Sequence, residues 1–411
     1  MLKKFSGNSK RILLKSEKMN PNVGSITSSR VSLVKCPVYE LPALKNSISA
    51  AIGLLGGLER FVRLGARVLL KPNVMMPKPY GFAANTHPLF LQAVIELFKE
   101  KGAAVTVGES SAGSQAGITF TKKALQVSGI EDVAKQCGVR LVNFDLDQAV
   151  WTNIPNPLVP SIPLAKSVLE ADLVVSLPKF KTHTYRNIIT GAVKNIYGTI
   201  PGQIKADYHR LAPRPEDFYT IVRDIYRAVH PGLVIFDAVE GMEGNGPSAG
   251  TPRHLGLIIA SADGVAADAV AAELMHVPST RVLTTRLAAE AGLGRGRMEE
   301  IEVLGEKLES VAPRHFKLPA STVINPYLYR FILAMTETIP VIDPGKCTLC
   351  KTCADSCPMQ VIEEKDKKMV INRKDCIRCF CCSEVCPQQA MKPKRKNPLG
   401  SFLSKLMLSR W

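Results

Sequence analysis

Two cysteine-rich stretches decide the fold of the C-terminal part of the chain: CTLCKTCADSCP at residues 347–358 and CIRCFCCSEVCP at residues 376–387. Each stretch has the spacing C-x2-C-x2-C-x3-C-P. In chains with this spacing, three thiolates bind one [4Fe–4S] cluster, and the fourth cysteine reaches a second cluster. The two stretches therefore predict a small α+β module of the bacterial di-cluster ferredoxin type, at residues 341–390.

Crossed ligation divides eight of these cysteines into two sets of four. The predicted ligands of the first cluster are Cys347, Cys350, Cys353 and Cys386, and those of the second are Cys357, Cys376, Cys379 and Cys382. A pair of zinc sites is the alternative, but zinc motifs use paired C-x2-C units and not triplets followed by Cys-Pro. Cys381 is surplus to the spacing, and we expect it to be a non-ligand.

The distribution of cysteines also indicates the redox compartment. Nine of the eleven lie between Cys347 and Cys386, whereas only Cys36 and Cys137 occupy the first 346 residues. A secreted disulfide protein would spread its bridges, so this crowding is typical of metal ligands in a reducing compartment. We expect a cytoplasmic protein.

The net charge of +17 is concentrated at the two ends of the chain. Residues 1–30 hold seven Lys or Arg against one Glu, and residues 391–411 hold six and no acid, which leaves +5 for the remainder. Nucleic-acid binding would need a basic cluster within the folded part, so no nucleic-acid partner is expected. We expect residues 1–30 to be a disordered leader.

The C-terminal tail, residues 391–411, combines this charge with an apolar stripe. Leu399, Phe402, Leu403 and Leu406 fall at helical spacing, and Trp411 ends the chain. Apolar area flanked by cations favours weak, peripheral contact with a membrane surface. The alternatives are a stripe that packs back on the protein and a tail that orders only when a partner binds.

Between the tails, short β-branched runs alternate with helical stretches from residue 31 to residue 310. Strands are predicted at residues 67–71, 103–108, 139–144, 173–177, 233–237 and 255–260, and helices at residues 88–101, 215–229 and 266–275. Such alternation predicts an α/β domain with a mostly parallel sheet and helices on both faces. Residues 311–340 are a predicted linker or helix before the cysteine-rich module.

Polar side chains follow several of these strands at the point where each strand ends. They are Lys71, Asn73, Glu109, Lys179, Lys181 and His183, and a later segment adds Lys194 and Asn195. Ligands of open parallel sheets bind beyond the carboxyl ends of the strands, so we expect these residues to form one site. The alternative is that loops are polar simply because they face solvent.

The residue types of this site indicate its ligand. The lysines suit a phosphate or carboxylate, so an anionic small molecule is expected, and the carboxylates could hold a divalent cation. Glu109, Lys179, Lys181 and His183 are the candidate catalytic groups. Lys71, Asn73, Lys194 and Asn195 are the candidate binding groups. The glycines at 241, 244 and 246 do not complete a dinucleotide fingerprint, because Pro247 follows and no capped helix is predicted.

The order of several short motifs resembles the DUF362 family. They are KPNV at 71–74, THP at 86–88, GES at 108–110, LPKFKTH at 177–183 and GAVKNIYG at 191–198. Many members of that family carry a similar C-terminal ferredoxin module. The family has no settled general activity, so the resemblance implies an architecture and a redox role but no substrate.

Three functions fit these features. The first is an oxidoreductase in which two [4Fe–4S] clusters feed electrons to an anionic substrate, with a ferredoxin-like donor or acceptor as redox partner. The second is an electron-transfer or assembly protein without its own catalysis. The third is a non-redox enzyme with structural clusters. Converging Lys, Glu and His residues favour the first, because a docking surface needs no such crevice.

Overall fold

The computed structural model describes residues 29–111, 117–184, 186–200, 202–320, 338–357, 360–373, 376 and 381–395. Residues 1–28, most of the predicted linker and the predicted apolar stripe beyond residue 395 lie outside these ranges. Within them, every helix falls short of the length and apolar character needed to cross a lipid bilayer.

Strands alternate with helices through most of the described chain. The strands are β1 Ser29–Lys35, β2 Arg67–Pro72, β3 Ala104–Glu109, β4 Arg140–Asn143, β5 Ala149–Asn153, β6 Ser161–Ala165, β7 Leu173–Leu177, β8 Lys179–His183, β9 Ile188–Ile189, β10 Leu233–Glu243, β11 Thr251–Ser261, β12 Ile301–Gly305, β13 Thr338–Ile342, β14 Ile362–Lys365, β15 Lys368–Ile371 and β16 Met391–Arg395.

The helices connect these strands and cover the sheet. They are α1 Leu41–Leu54, α2 Pro88–Glu100, α3 Gly117–Val127, α4 Ile130–Gln136, α5 Lys166–Glu170, α6 Ala192–Asn195, α7 Gly202–Leu211, α8 Pro215–Val229, α9 Gly264–Leu274, α10 Leu283–Glu290, α11 Leu308–Val311, α12 Thr352–Asp355 and α13 Cys381–Val385. Single 3₁₀ turns are at Leu58–Arg60, Tyr80–Phe82, Ile196–Thr199, Ser279–Arg281 and Met298–Glu300.

The large sheet has the strand order β12-β1-β11-β10-β7-β2-β3-β4. In addition, β8 pairs with β10, and β9 pairs with β8. Strands β10, β7, β2, β3 and β4 run parallel to one another, whereas β11 is antiparallel to both β1 and β10. The α/β class and the mostly parallel sheet are therefore confirmed.

Helices cover both faces of this sheet. Along β10, Ile235 packs into the core cluster that holds apolar residues of α1 and α2. Its neighbours Val234 and Phe236 pack into the cluster that holds those of α9. Because successive strand residues point to opposite faces, the two clusters lie on opposite sides of the sheet.

Helix starts follow local sequence signals. Pro88 occupies the first turn of α2, and the side chain of His87 caps the helix by accepting a hydrogen bond from the Leu89 backbone N–H. Pro215 likewise opens α8. A proline fits the first turn because its missing N–H would have had no partner there.

Two segments that lie beyond the predicted strand ends are strands in the structure. Residues 179–183 form the buried strand β8, and residues 240–243 belong to β10. β8 pairs in parallel with β10, with Asp237 opposite Lys179. Charged residues could enter these strands because they are paired inside the protein, as described below.

The described part of the C-terminal module contains two pairs of strands and two short helices. β13 pairs antiparallel with β16, and β14 pairs antiparallel with β15. β13 and β16 extend beyond the predicted limits of residues 341 and 390, so the first residues of the expected tail belong to the folded module. There, Lys392 forms an ion pair with Asp343 at 2.9 Å.

Candidate active site and cluster module

A cavity of about 80 Å³ lies where the central strands of the α/β domain end. Seven of the eight sequence-predicted site residues line it: Lys71, Asn73, Glu109, Lys181, His183, Lys194 and Asn195. They come from β2, β3, β8 and α6, which are separate in the sequence but adjacent in the fold.

A buried ion pair forms the floor of the cavity. Lys71 Nζ lies 2.7 Å from Glu109 Oε2, and their side chains are only 1% and 2% exposed. Burial lowers the pKa of Lys71 and raises that of Glu109, while the attraction between the two charges opposes both shifts. Glu109 also accepts hydrogen bonds from the backbone N–H groups of Val74 and Ser110, both at 2.9 Å. These bonds hold the carboxylate in place.

A close approach of the backbone completes this floor. A Cβ at Gly198 would lie 2.2 Å from Glu109 Oε1 and 2.7 Å from Lys71 Nζ. Glycine is therefore required for the chain to cross over the ion pair.

The amide of Asn73 presents an acceptor for which the described part of the chain offers no hydrogen-bond donor. Its Nδ2 donates to Asn195 Oδ1 at 3.2 Å, and Asn195 Nδ2 in turn donates to the Lys71 carbonyl and to Ser176 Oγ. This network fixes the orientation of both amides. Within the described residues, Asn73 Oδ1 and Thr190 Oγ1 are buried without a hydrogen-bond partner. Both residues line the cavity, so a ligand with a hydrogen-bond donor would satisfy them.

Lys194 supplies a half-buried cation at the cavity wall. Its Nζ lies 5.2 Å from the centre of the Tyr197 ring and 5.9 Å from that of Phe218. Aromatic faces attract a cation and restrict where it can lie. Lys194 is thus positioned to meet a negative ligand.

Asp268 positions the segment that carries Lys194 and Asn195. Its carboxylate accepts hydrogen bonds from the backbone N–H groups of Ala192 and Val193, at the start of α6. Burial raises the pKa of Asp268 to about 8. Gly191 precedes the helix with φ +49°, and a Cβ there would lie 2.5 Å from Asp268 Oδ1.

The sequence analysis missed several contributors to this site. Lys205 of α7 is buried, and its Nζ donates to the carbonyl and hydroxyl oxygens of Ser110 and to the Ser111 carbonyl. Burial lowers its pKa to about 8. Lys205 therefore ties α7 to the end of β3. His209, also of α7, lines the cavity. No motif surrounds Lys205, His209 or Asp268 in the sequence, so only the fold identifies them.

Lys179, expected in the same cavity, is not among the residues that line it. Its Nζ lies 2.8 Å from Asp237 Oδ2 and donates to the Tyr39 hydroxyl at 2.7 Å. His87 stacks on Tyr39 with the ring centroids 3.7 Å apart. Burial lowers the pKa of His87 to about 4, so its ring is neutral at pH 7. The side chains of β8 thus divide, with Lys181 and His183 at the cavity and Lys179 in a separate network.

Four cysteines from both cysteine-rich stretches line a second cavity, within the C-terminal module. They are Cys347, Cys350, Cys353 and Cys386, the set expected for the first cluster. Burial raises the pKa of Cys353 to about 11, with further contributions from the negative charges of Cys386, Cys350 and Cys347. Iron binding replaces the thiol protons and offsets the repulsion between neighbouring thiolates, so this set of cysteines suits a metal cluster.

The second expected ligand set is only partly described. Cys357 and Cys382 are buried in the core of the module, and Cys376 packs against that core. Cys379 lies outside the described residues. Across the described ranges, no group of three or more His, Cys, Asp or Glu has the geometry of a single-ion site. The divalent cation expected in the α/β domain remains a prediction.

The cluster module contacts the α/β domain at the mouth of the first cavity. Val385, next to Cys386 in the chain, is one of the lining residues of the α/β cavity. Ser248, which follows β10, donates through Oγ to the Ser383 carbonyl at 3.1 Å. The cavity walls thus come from both parts of the protein.

Comparisons with known proteins match both parts. Residues 68–273 match the family model described as a domain of unknown function, DUF362, and residues 339–387 match that of a 4Fe-4S dicluster domain. A thylakoid-associated protein from Synechocystis sp. is 32% identical over 292 residues, which cover 70% of this chain and 87% of that protein.

One solved structure gives a weaker likeness. The lactate racemase apoprotein from Thermoanaerobacterium thermosaccharolyticum aligns with a TM-score of 0.32 and 17% identity, over 51% of each chain. A likeness at this level carries no information on activity.

Proposed function

Because the chain belongs to the DUF362 family and ends in a 4Fe-4S dicluster domain, we propose that it is an iron-sulfur oxidoreductase acting on a small anion. The substrate binds in the cavity at the strand ends, and the C-terminal module supplies single electrons from two [4Fe–4S] clusters. The cluster ligands are the two crossed sets, Cys347, Cys350, Cys353 and Cys386, and Cys357, Cys376, Cys379 and Cys382.

The observation that carries this proposal is the shared wall of the cavity. Val385 lines the cavity, and the next residue is Cys386, which belongs to the first ligand set. A substrate in the cavity would therefore border Val385, the chain neighbour of a cluster ligand. A docking or assembly protein needs no such juxtaposition.

The chain's own residues bind the substrate and handle its protons. Lys194 anchors the anionic group, and Asn73 Oδ1 accepts a hydrogen bond from a donor elsewhere on the ligand. His183 borders the same space and can exchange a proton with the ligand. The Lys71–Glu109 pair holds the floor of the cavity. We therefore expect a small carboxylate or phosphate that also carries an N–H or O–H group.

A binding screen tests this assignment. Small carboxylates and phosphates are added to anaerobic, cluster-loaded protein, and the unfolding temperature is recorded, since a ligand of the native state stabilises it by mass action. The result expected is a stabilising anion whose effect is lost in Lys194→Met. Lys166→Met, an exposed lysine on α5, is the matched control. If the stabilisation persists in Lys194→Met, the anion binds elsewhere.

A second candidate is an electron-transfer protein without catalysis. It is favoured by one observation: the ammonium groups of Lys71 and Lys205 already donate hydrogen bonds to protein oxygens. In that case the cavity lysines stabilise the fold, and the screen finds no anion that depends on Lys194.

We further propose weak contact with a membrane surface through residues 396–411. The basic, apolar-striped sequence of the tail and the name of the thylakoid-associated relative support this location. Because β16 ends at Arg395, truncation after that residue keeps every strand of the module that the structure describes. Sedimentation with anionic vesicles should fall on truncation and with added salt, and equal sedimentation of both chains would exclude a role for the tail.

A further inference from the structure

Lys78 is a buried lysine of the α/β domain outside the substrate cavity. It lies in the loop between β2 and α2 and is only 4% exposed. Its Nζ donates to the Ser248 carbonyl at 2.6 Å and lies 4.9 Å from the centre of the Phe82 ring. Among the described residues, no carboxylate comes within ion-pair distance of it. A buried ammonium without a counter-charge is strongly unfavourable.

The loop that carries Cys386 lies next to this ammonium. The Ser248 carbonyl that accepts from Lys78 also accepts from Gln389 Nε2 at 3.4 Å. The Gln389 backbone N–H in turn donates to the Cys386 carbonyl at 3.2 Å. Burial lowers the pKa of Lys78 to about 8, and the negative charge of Cys386 opposes that shift.

We propose that Lys78 is the counter-charge of the cluster ligated by Cys386 and raises the reduction potential of that cluster. An iron-sulfur cluster with four thiolates is negatively charged, and it gains one further negative charge when it accepts an electron from a reductant. A buried cation therefore stabilises the reduced state more than the oxidised one. Net charge and hydrogen bonding around a cluster are established determinants of its potential.

Lys351 offers a matched comparison within the module. It lines the four-cysteine cavity itself, but its side chain is 58% exposed and pairs with Glu364 at 3.0 Å. Solvent and salt screen an exposed charge, whereas a buried one is screened much less. Lys78 therefore acts more strongly than Lys351, even though Lys351 belongs to the module.

Potentiometric titration of anaerobic full-length protein tests the proposal, with dithionite as reductant and electron paramagnetic resonance as readout. The variants are Lys78→Met, Lys78→Gln, Lys78→Arg and Lys351→Met, and iron and sulfide contents are measured for each. Gln keeps a hydrogen-bond donor for the Ser248 carbonyl without the charge, and Arg keeps the charge. Because both Lys78→Met and Lys78→Gln remove the charge, the test still works if one of the two variants fails to fold.

The expected result is a more negative midpoint potential for one cluster in both Lys78→Met and Lys78→Gln. Lys78→Arg stays near the parent value, and Lys351→Met shifts less than either neutral variant. Unchanged midpoints in Lys78→Met, or a parent-like Lys78→Gln, would overturn the role of the charge. A shift of equal size in Lys351→Met would overturn the role of burial. These outcomes do not depend on whether the substrate cavity binds an anion.

Discussion

Replacing Lys71 by Met isolates the buried ion pair at the floor of the cavity. The change removes the cation 2.7 Å from Glu109 Oε2 and leaves a carboxylate that is 2% exposed. Breaking a buried pair by removal of one partner costs about 3–5 kcal/mol. At this domain size, such a loss lowers the unfolding temperature by on the order of 10 °C.

Urea unfolding of anaerobic protein, followed by circular dichroism, measures the effect. Lys101→Met is the matched control, because Lys101 pairs with Glu59 on the surface, where both side chains are at least 43% exposed. Its loss should stay below about 1 kcal/mol. A double-mutant cycle with Glu109→Gln should show a coupling of roughly 0.5–3 kcal/mol. Equal losses for Lys71→Met and Lys101→Met would refute the argument.

Four further substitutions test other parts of the structure. Gly198→Ala should lower stability, because the added Cβ would clash with the Lys71–Glu109 pair. Gly53→Ala in α1 should raise stability by about 0.5–1 kcal/mol, because the space around the added Cβ is open. Thermal unfolding measures both changes. The pKa of His87 is lowered to about 4 when folded, so the unfolded chain binds more protons between pH 6.5 and 4 and stability falls as the pH drops through that window. His87→Asn keeps a capping acceptor and should flatten this part of the stability–pH curve. Lys179→Ala should lower stability, because it breaks the buried pair with Asp237, and should leave the affinity for a cavity ligand unchanged. Lowered affinity with unchanged stability would instead support the role in the cavity that the sequence predicted.

The central strands and the cluster motifs could be predicted from local patterns. Leu173–Leu177 is a short apolar run, and Pro215–Val229 is a longer segment with helical periodicity. The structure has a strand and a helix at these positions, as predicted. The eight cysteines carry their own spacing, which is independent of the rest of the fold. These features depend on short-range sequence alone.

The secondary structure and burial of the charged segment 179–183 could not be predicted in this way. Five residues that include two lysines and a histidine suggested a loop, but all five are buried in β8. Asp237 compensates Lys179 from 58 residues away in the sequence. Because the partner is supplied by tertiary structure, no local rule identifies it. The same holds for Lys205 and Asp268, whose roles depend on which strand ends meet.

Reoxidation of the reduced clusters tests the proposed function most directly. Cluster-loaded protein is reduced with dithionite, freed of excess reductant and mixed anaerobically with each anion that stabilises it, while the cluster absorbance is followed. The proposed function predicts that at least one of these anions reoxidises the clusters, that Lys194→Met loses this reaction, and that Lys166→Met retains it. Clusters that stay reduced with every bound anion, or that reoxidise equally fast in Lys194→Met, would contradict it.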